Sequence, residues 1–367
     1  MDNLALFEAH KDLEAVFNEK SLPKHYGHPI EEYEAVRKSV GMIDLSFRDK
    51  LTITGEDQCS FLQRMITNDI VGCKVGEGIY AAILTVKGKM LCDMKFYRHE
   101  DYLFLDLEPG LGGKVTDILM THKFMADIQI ENMGDSLSLL SLHGPKAKGL
   151  IEKVLNTNVP DLPENAHLTV EREGHEVLVV RINRTGEEGY DIYMPSTHAQ
   201  SYWDSFIQEG EAHQLKVFGL DALEILRIEA GIPIYGVDMT EATNPFEARL
   251  DHALDFKKGC YVGQETIARM KWQGHANWFL MGYELEGEKC PAPGDSLFNE
   301  DKKVGTISSS TYSPILKKTI AMGRLRKEYK EPGTSLTLDM EGSRKTVTVT
   351  EPPFYKPSER PILRTGL

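Results

Sequence analysis

The run Gly78-Ile-Tyr-Ala-Ala-Ile-Leu-Thr-Val-Lys-Gly-Lys-Met-Leu-Cys-Asp-Met-Lys-Phe-Tyr-Arg-His-Glu-Asp-Tyr-Leu-Phe-Leu-Asp-Leu107 holds three strand-like segments. They are Ile79 to Thr85, Met90 to Tyr97 and Tyr102 to Leu107, parted by Lys87-Gly88-Lys89 and by Arg98 to Asp101. Turn residues at hairpin spacing predict an antiparallel meander. The expected class is therefore α+β, with mixed sheets carrying helices on one face, rather than the strand–helix alternation of a doubly wound sheet.

Upstream of the meander, Leu51-Thr52-Ile53-Thr54 reads as a strand, Gly55-Glu56-Asp57 as a turn and Ser60 to Met65 as the start of a helix. Earlier still, the apolar spacing predicts a helix from Leu4 to Phe17, a loop at Pro23 to Gly27 and a helix from Glu31 to Val40. Downstream, Gly110-Leu-Gly112-Gly113 lacks the third glycine spacing of a dinucleotide-binding turn and reads as a loop. A helix is expected at Val115 to His122 and a strand at Ala126 to Asn132. A strand, Gly-Pro turn and helix then follow over Leu137 to Val154, with strands at Val177 to Ile182 and Tyr190 to Met194 and a helix at Ala199 to Gln208. After Trp278 the pattern is almost wholly β, with Phe279 to Glu284, Ser296 to Phe298, Lys303 to Ser309, Thr319 to Leu325, Ser335 to Leu338 and Thr346 to Thr350 separated mostly by Gly or Pro. Short strands at this spacing predict a separate small barrel, with its boundary near Gly274 to Trp278.

A chain of 367 residues exceeds the usual single core, so two or three packed domains are expected. Its 56 acidic and 42 basic residues leave a formal charge of −14, which argues against nucleic acid or an anionic membrane as the main partner. Cys59, Cys73, Cys92, Cys260 and Cys290 are scattered, without a Cys-x-x-Cys pair, and fit a reducing compartment better than a disulfide framework or a metal cage. The first thirty residues lack a secretory pattern and no apolar run reaches membrane-spanning length, so a cytoplasmic location is expected.

Four clusters can carry chemistry. In Lys257-Lys258-Gly259-Cys260-Tyr261-Val262-Gly263-Gln264-Glu265, adjacent lysines and a following helix N-terminus favour a thiolate at Cys260; the plainer reading is a small buried hydrophobe beside a turn. Asp93 lies in a strand with apolar neighbours, so its carboxylate is solvated opposite Lys89 or Lys95, or else paired or used. The acidic turn Asn183-Arg184-Thr185-Gly186-Glu187-Glu188-Gly189-Tyr190-Asp191 can present an acid to an N–H-rich heterocycle, or serve solubility. Arg227, on an otherwise apolar helix, calls for a partner, either Glu229 or another carboxylate, or the acid tail of a ligand.

Beyond these clusters, Glu32-Tyr-Glu34-Ala-Val-Arg37-Lys-Ser-Val-Gly41-Met-Ile-Asp44, Ile66-Thr-Asn68-Asp69, Leu142-His143-Gly144-Pro145, Thr185-Gly186-Glu187-Glu188-Gly189-Tyr190, Arg227-Ile-Glu229-Ala230 and Tyr312-Ser313-Pro314 resemble the glycine cleavage T-protein (aminomethyltransferase) family. That resemblance runs through nearly the whole chain. It implies a three-domain cloverleaf with tetrahydrofolate, or a one-carbon derivative, in a central hole. The expected division is two α+β lobes, 1–135 plus 220–275 and 136–219, and a C-terminal barrel domain at 276–367.

By the same resemblance the family's catalytic aspartate, which orients the folate ring nitrogens, falls on Asp93, and its folate-lining tyrosine on Tyr80. Asp106 stands where an asparagine is usual, Arg184 where a tyrosine is usual, and Asp191 matches the glutamate that grips the pterin. Glu187 and Arg227 complete the expected folate-binding set. Phe47-Arg48 replaces the family's His-Met. The string Lys258 to Glu265, continued by Ala268-Arg269, is similar instead to the signature of YgfZ-type folate-binding proteins, which are implicated in maintaining iron–sulfur enzymes. This implies a tetrahydrofolate-dependent accessory factor for iron–sulfur cluster assembly or repair, with Cys260 as the working thiol and iron–sulfur proteins as partners. The alternative is an aminomethyltransferase served by a lipoyl carrier protein, or a related folate-dependent methyltransferase or demethylase.

Overall fold

The computed structural model describes residues 5–274 and 276–357. Leu4 at the head of the first expected helix, His275 at the expected boundary and positions 358–367 of the expected barrel domain lie outside the described residues.

The meander forms, and its neighbours complete a five-stranded sheet in the order Gly78–Leu84, Met90–Arg98, Tyr102–Leu107, Asp49–Thr54, Gln129–Asn132. Side-chain alternation then sorts the strand Met90–Arg98 by face. Cys92, Met94 and Phe96 pack under the helices Gln58–Met65 and Gly112–His122, with Phe61, Leu62, Val115 and Leu119. Asp93, Lys95 and Tyr97 take the opposite face. Tyr97 packs there with Phe104 against Tyr193 of a second sheet, with ring centroids 6.4 and 4.9 Å from Tyr193.

That second sheet has six strands, in the order His167–Arg172, His175–Ile182, Gly189–Pro195, Leu137–His143, Val40–Asp44, Leu215–Val217. Its other face buries Leu140, Leu142, Val179 and Ile192 against the helices Ala147–Leu155 and Ala199–Gly210. Two sheets thus meet face to face between outer helices. Val40–Asp44 bonds to Leu137–His143 and so belongs to the second sheet, while the following strand Asp49–Thr54 belongs to the first. A strand takes its lobe from its hydrogen-bonded neighbour, which chain order does not reveal.

Local differences have local causes. The first helix spans only Phe7–Asp12, and Val16–Phe17 pairs with Pro23–His25 where a helix end and a loop were expected. Glu14, at φ 54°, ends the helical path. Gly112 opens a helix instead of lying in a loop, because the Asp49 carboxylate accepts its N–H at 2.6 Å and sits at the positive helix end.

All six C-terminal strands form, as a closed barrel: Trp278–Leu285, Lys318–Arg326, Lys302–Ser313, Ser296–Asn299, Ser335–Met340 and Ser343–Thr350, the last pairing back to the first. Helix Leu220–Glu229 joins the three units. Ala222, Ile225 and Leu226 enter the core between the sheets, while Ile228 packs on Leu280, Ile320 and Met322 of the barrel. Its terminal Glu229 accepts hydrogen bonds from Tyr33 and from Ser313, and pairs with Arg37. The chain is thus α+β with a closed six-stranded C-terminal barrel. Among the described residues no helix is long and apolar enough to cross a membrane.

Candidate functional site

Where the two sheets, the helix Leu220–Glu229 and the barrel converge, they leave a cavity of about 900 Å³. Tyr80, Asp93 and Lys95 reach it from the meander, Asn183 and Arg184 from the acidic turn, Arg227 from the helix, and His252 from the loop before the last helix. The physical reason is register: Lys95 lies opposite Tyr80 and Asp93 opposite Ala82, so Tyr80, Asp93 and Lys95 share one sheet face.

Asp93 is 8% exposed, and its carboxylate accepts a hydrogen bond from the Tyr80 hydroxyl at 2.5 Å. Its other oxygen has no partner among the described residues. Burial pushes the carboxyl up to about 6, against the opposing pull of the Tyr80 hydrogen bond. Tyr80 stacks on His252, with centroids 5.4 Å apart, and Asn68 holds the carbonyls of both residues. Of the two sequence readings of Asp93, the buried one is what the fold adopts. Lys89 points elsewhere, to Glu247 at 3.1 Å.

The remaining expected site residues divide. Arg184 and Arg227 line the cavity; Asp106, Glu187, Asp191 and Cys260 are not among its lining residues. Asp106 and Asp191 stand fully buried behind the wall, where Arg184 bridges them at 3.0 and 2.5 Å and Arg48 holds Asp106 at 2.8 Å. Burial raises both carboxyls, and the guanidiniums outweigh it, holding them below the ordinary carboxylate range. Asp191 also accepts from Ser141 at 2.5 Å. Glu187 pairs with Arg37 at 3.0 Å. The acidic turn therefore lines the cavity with Asn183 and Arg184 rather than with an acid: Glu187 is paired with the distant Arg37, Asp191 with Arg184 of the turn itself, and Glu188 accepts from the Tyr190 hydroxyl. Arg227 finds Asp238 at 2.7 Å and Glu224, rather than Glu229.

The segment after Lys257 has a clear structural part. The Lys258 ammonium reaches the carbonyls of Ile66 and Asn68, both at 2.7 Å, and Tyr261 is buried. Gly263, at φ +85°, lies against the meander turn: a Cβ there would meet the Thr85 carbonyl oxygen at 2.5 Å, so only glycine fits. Cys260 is exposed, which overturns the reading of it as a buried hydrophobe. Residues missed from sequence are Lys95, Asn68, His252 and Arg48. Lys95 carried a signal in its two-residue spacing from Asp93 along a strand, and Asn68 and Arg48 lay in stretches compared with the family without being assigned to the site.

Comparison with known proteins adds an independent line. The GCVT N-terminal domain model matches residues 6–258, and the glycine cleavage T-protein C-terminal barrel domain matches residues 279–356. An aminomethyltransferase of Chlorobium luteolum is 32% identical over 341 residues, covering 92% of this chain and 93% of its own. One of Bacillus subtilis is 31% identical over 337 residues, covering 91% and 93%. The crystal structure of glycine cleavage system aminomethyltransferase T from Bartonella henselae superposes with a TM-score of 0.89 at 23% identity, covering 96% of this chain and 98% of that one, a likeness of fold.

Proposed function

The chain belongs to the glycine cleavage T-protein family, and from that membership we propose that it binds tetrahydrofolate in the cavity bordered by Tyr80 and Asp93 and works as an aminomethyltransferase. The observation that carries this reading is the Asp93 carboxylate, buried at the cavity wall with one oxygen engaged by Tyr80 and the other unpartnered. A cavity of about 900 Å³ lies within the range that encloses drug-sized ligands, and Tyr80 and His252 offer flat rings to a heterocycle. An orphaned acid in a roomy aromatic-walled site fits a pterin with N–H donors.

Tetrahydrofolate would supply ring nitrogens that accept the one-carbon unit. Asp93 would orient them through its free oxygen and, with a pKa of about 6, exchange a proton near neutral pH. Tyr80 fixes the other oxygen, which spares the carboxylate rotational freedom. Arg184 lines the cavity as a rigid part of its wall, tied from behind to Asp106 and Asp191. The donor in this reading is a lipoyl carrier protein bearing the aminomethyl group, and ammonia is the second product.

This reading displaces the iron–sulfur accessory role expected from Lys258 to Glu265. Relatives alike along almost their whole length carry the transferase name, and the exposed Cys260 is outside the cavity lining. The test is calorimetric titration of the chain with tetrahydrofolate, paired with ammonia release from aminomethylated carrier protein. Saturable binding and ammonia release are expected. Absence of binding ends the cofactor assignment, and binding without ammonia ends the transferase assignment.

A further inference from the structure

Every arginine lining the cavity is already ion-paired: Arg48 with Asp106, Arg184 with Asp191, Arg227 with Asp238 and Arg249 with Glu351. Lys95 differs. Among the described residues its ammonium makes no hydrogen bond or ion pair, and Nζ lies 5.6 Å from the centroid of the Tyr80 ring. Lys95 follows Asp93 by two positions on one strand, so both project from the same sheet face. A cavity-lining amine thus shares a sheet face with a carboxyl, with the Tyr80 phenol hydrogen-bonded to Asp93 and its ring 5.6 Å from the Lys95 Nζ.

The surroundings disfavour the charged form. Burial is the largest cause, and the Arg184 and Arg48 guanidiniums add to it, while Asp106 and Asp191 act the other way; the net effect lowers the amine below the ordinary lysine value. Desolvation next to other cations is how proteins prepare a lysine to attack a carbonyl carbon. Lysines elsewhere do not combine these conditions. Lys50 and Lys258 are also buried, but each ammonium is held by two carbonyl oxygens and neither lines the cavity.

We infer that Lys95 is a covalent docking point for a small aldehyde, held as an imine beside Asp93. The Nζ lone pair bonds the carbonyl carbon, and one N–H proton passes to the carbonyl oxygen, giving a carbinolamine. The protonated Asp93 carboxyl then donates its proton to that hydroxyl, water leaves, and an iminium cation remains next to the Asp93 carboxylate. No oxidant or reductant takes part. Lys95 is half-buried and lines the cavity, so the aldehyde reaches it from the cavity side. The inference is independent of the folate reading, since the reaction uses only this chain and the aldehyde.

The test exposes the full chain, without folate, to limiting acetaldehyde and sodium cyanoborohydride near neutral pH, and maps ethylated lysines by peptide mass spectrometry. Lys95 is expected to react severalfold faster than the exposed Lys87, because lowering an amine's proton affinity raises its neutral, nucleophilic fraction at a given pH. Lys50 and Lys258 should stay unmodified, and Asp93→Asn should slow Lys95 while leaving Lys87 unchanged. Labelling of Lys95 no faster than Lys87 overturns the proposal, as does an unaltered Lys95 rate in Asp93→Asn. The comparison of lysines within the unaltered chain decides the matter even where that variant does not fold.

Discussion

Asp93→Asn is expected to make the ligand-free protein more stable at neutral pH while weakening its hold on folate. Burial raises the Asp93 carboxyl from the ordinary 3.8 to about 6 in the folded chain. At about 1.4 kcal/mol for every tenfold change in proton affinity, keeping this group ionised costs the native state up to about 3 kcal/mol above pH 6. The sign follows from the raised folded value. Below the unfolded pKa the carboxyl is protonated in both states and there is no penalty; as pH climbs through the folded value, the unfolded chain has already lost its proton and the native state loses stability against it. Asparagine is neutral throughout and can still accept the Tyr80 hydrogen bond, so the gain of the variant over the parent should grow between about pH 4 and 6 and then level off. Urea unfolding of both proteins across that range measures it, with effects of all other titrating groups cancelling in the difference. A variant less stable than the parent at pH 7, or a difference that does not change with pH, would refute the claim that this carboxylate is held at a cost.

Other perturbations probe the rest of the site. Arg184→Met leaves Asp191 and Asp106 short of their shared cation and should cost about 3 to 5 kcal/mol in urea unfolding, as removal of one partner from a buried ion pair does. Tyr80→Phe deletes the hydrogen bond that lowers the Asp93 pKa, so the pH below which tetrahydrofolate binding fails should move upward in titrations run at a series of pH values. Cys260→Ala, at an exposed position outside the cavity lining, should leave the dissociation constant for tetrahydrofolate unchanged by calorimetry; a large weakening would place the thiol in the binding site.

Legibility in the sequence tracked how local each cause is. The six barrel strands and the meander were readable because alternation and Gly or Pro punctuation act over a few residues. Gly112 was misread because its helix start depends on Asp49, sixty-three residues away. The acidic turn showed where its carboxylates are, and not that Arg37 and Arg184 consume two of them. Lys95 was visible as a strand residue two positions from Asp93, but whether that face met solvent, core or cavity was not.

From the chain alone came the α+β class and the barrel, through periodicity and turn chemistry, while for Asp93 the strand left a solvated and a buried carboxylate open and only the family resemblance favoured a site role. Which sheet Val40–Asp44 joins, which carboxylates stay free and which side of the meander is hollow depended on the tertiary structure. Pairing between strands and between charges is set by proximity in space among segments far apart in sequence, and many partners satisfy the same local pattern. Only the packed arrangement of two sheets, one helix and a barrel picks among them.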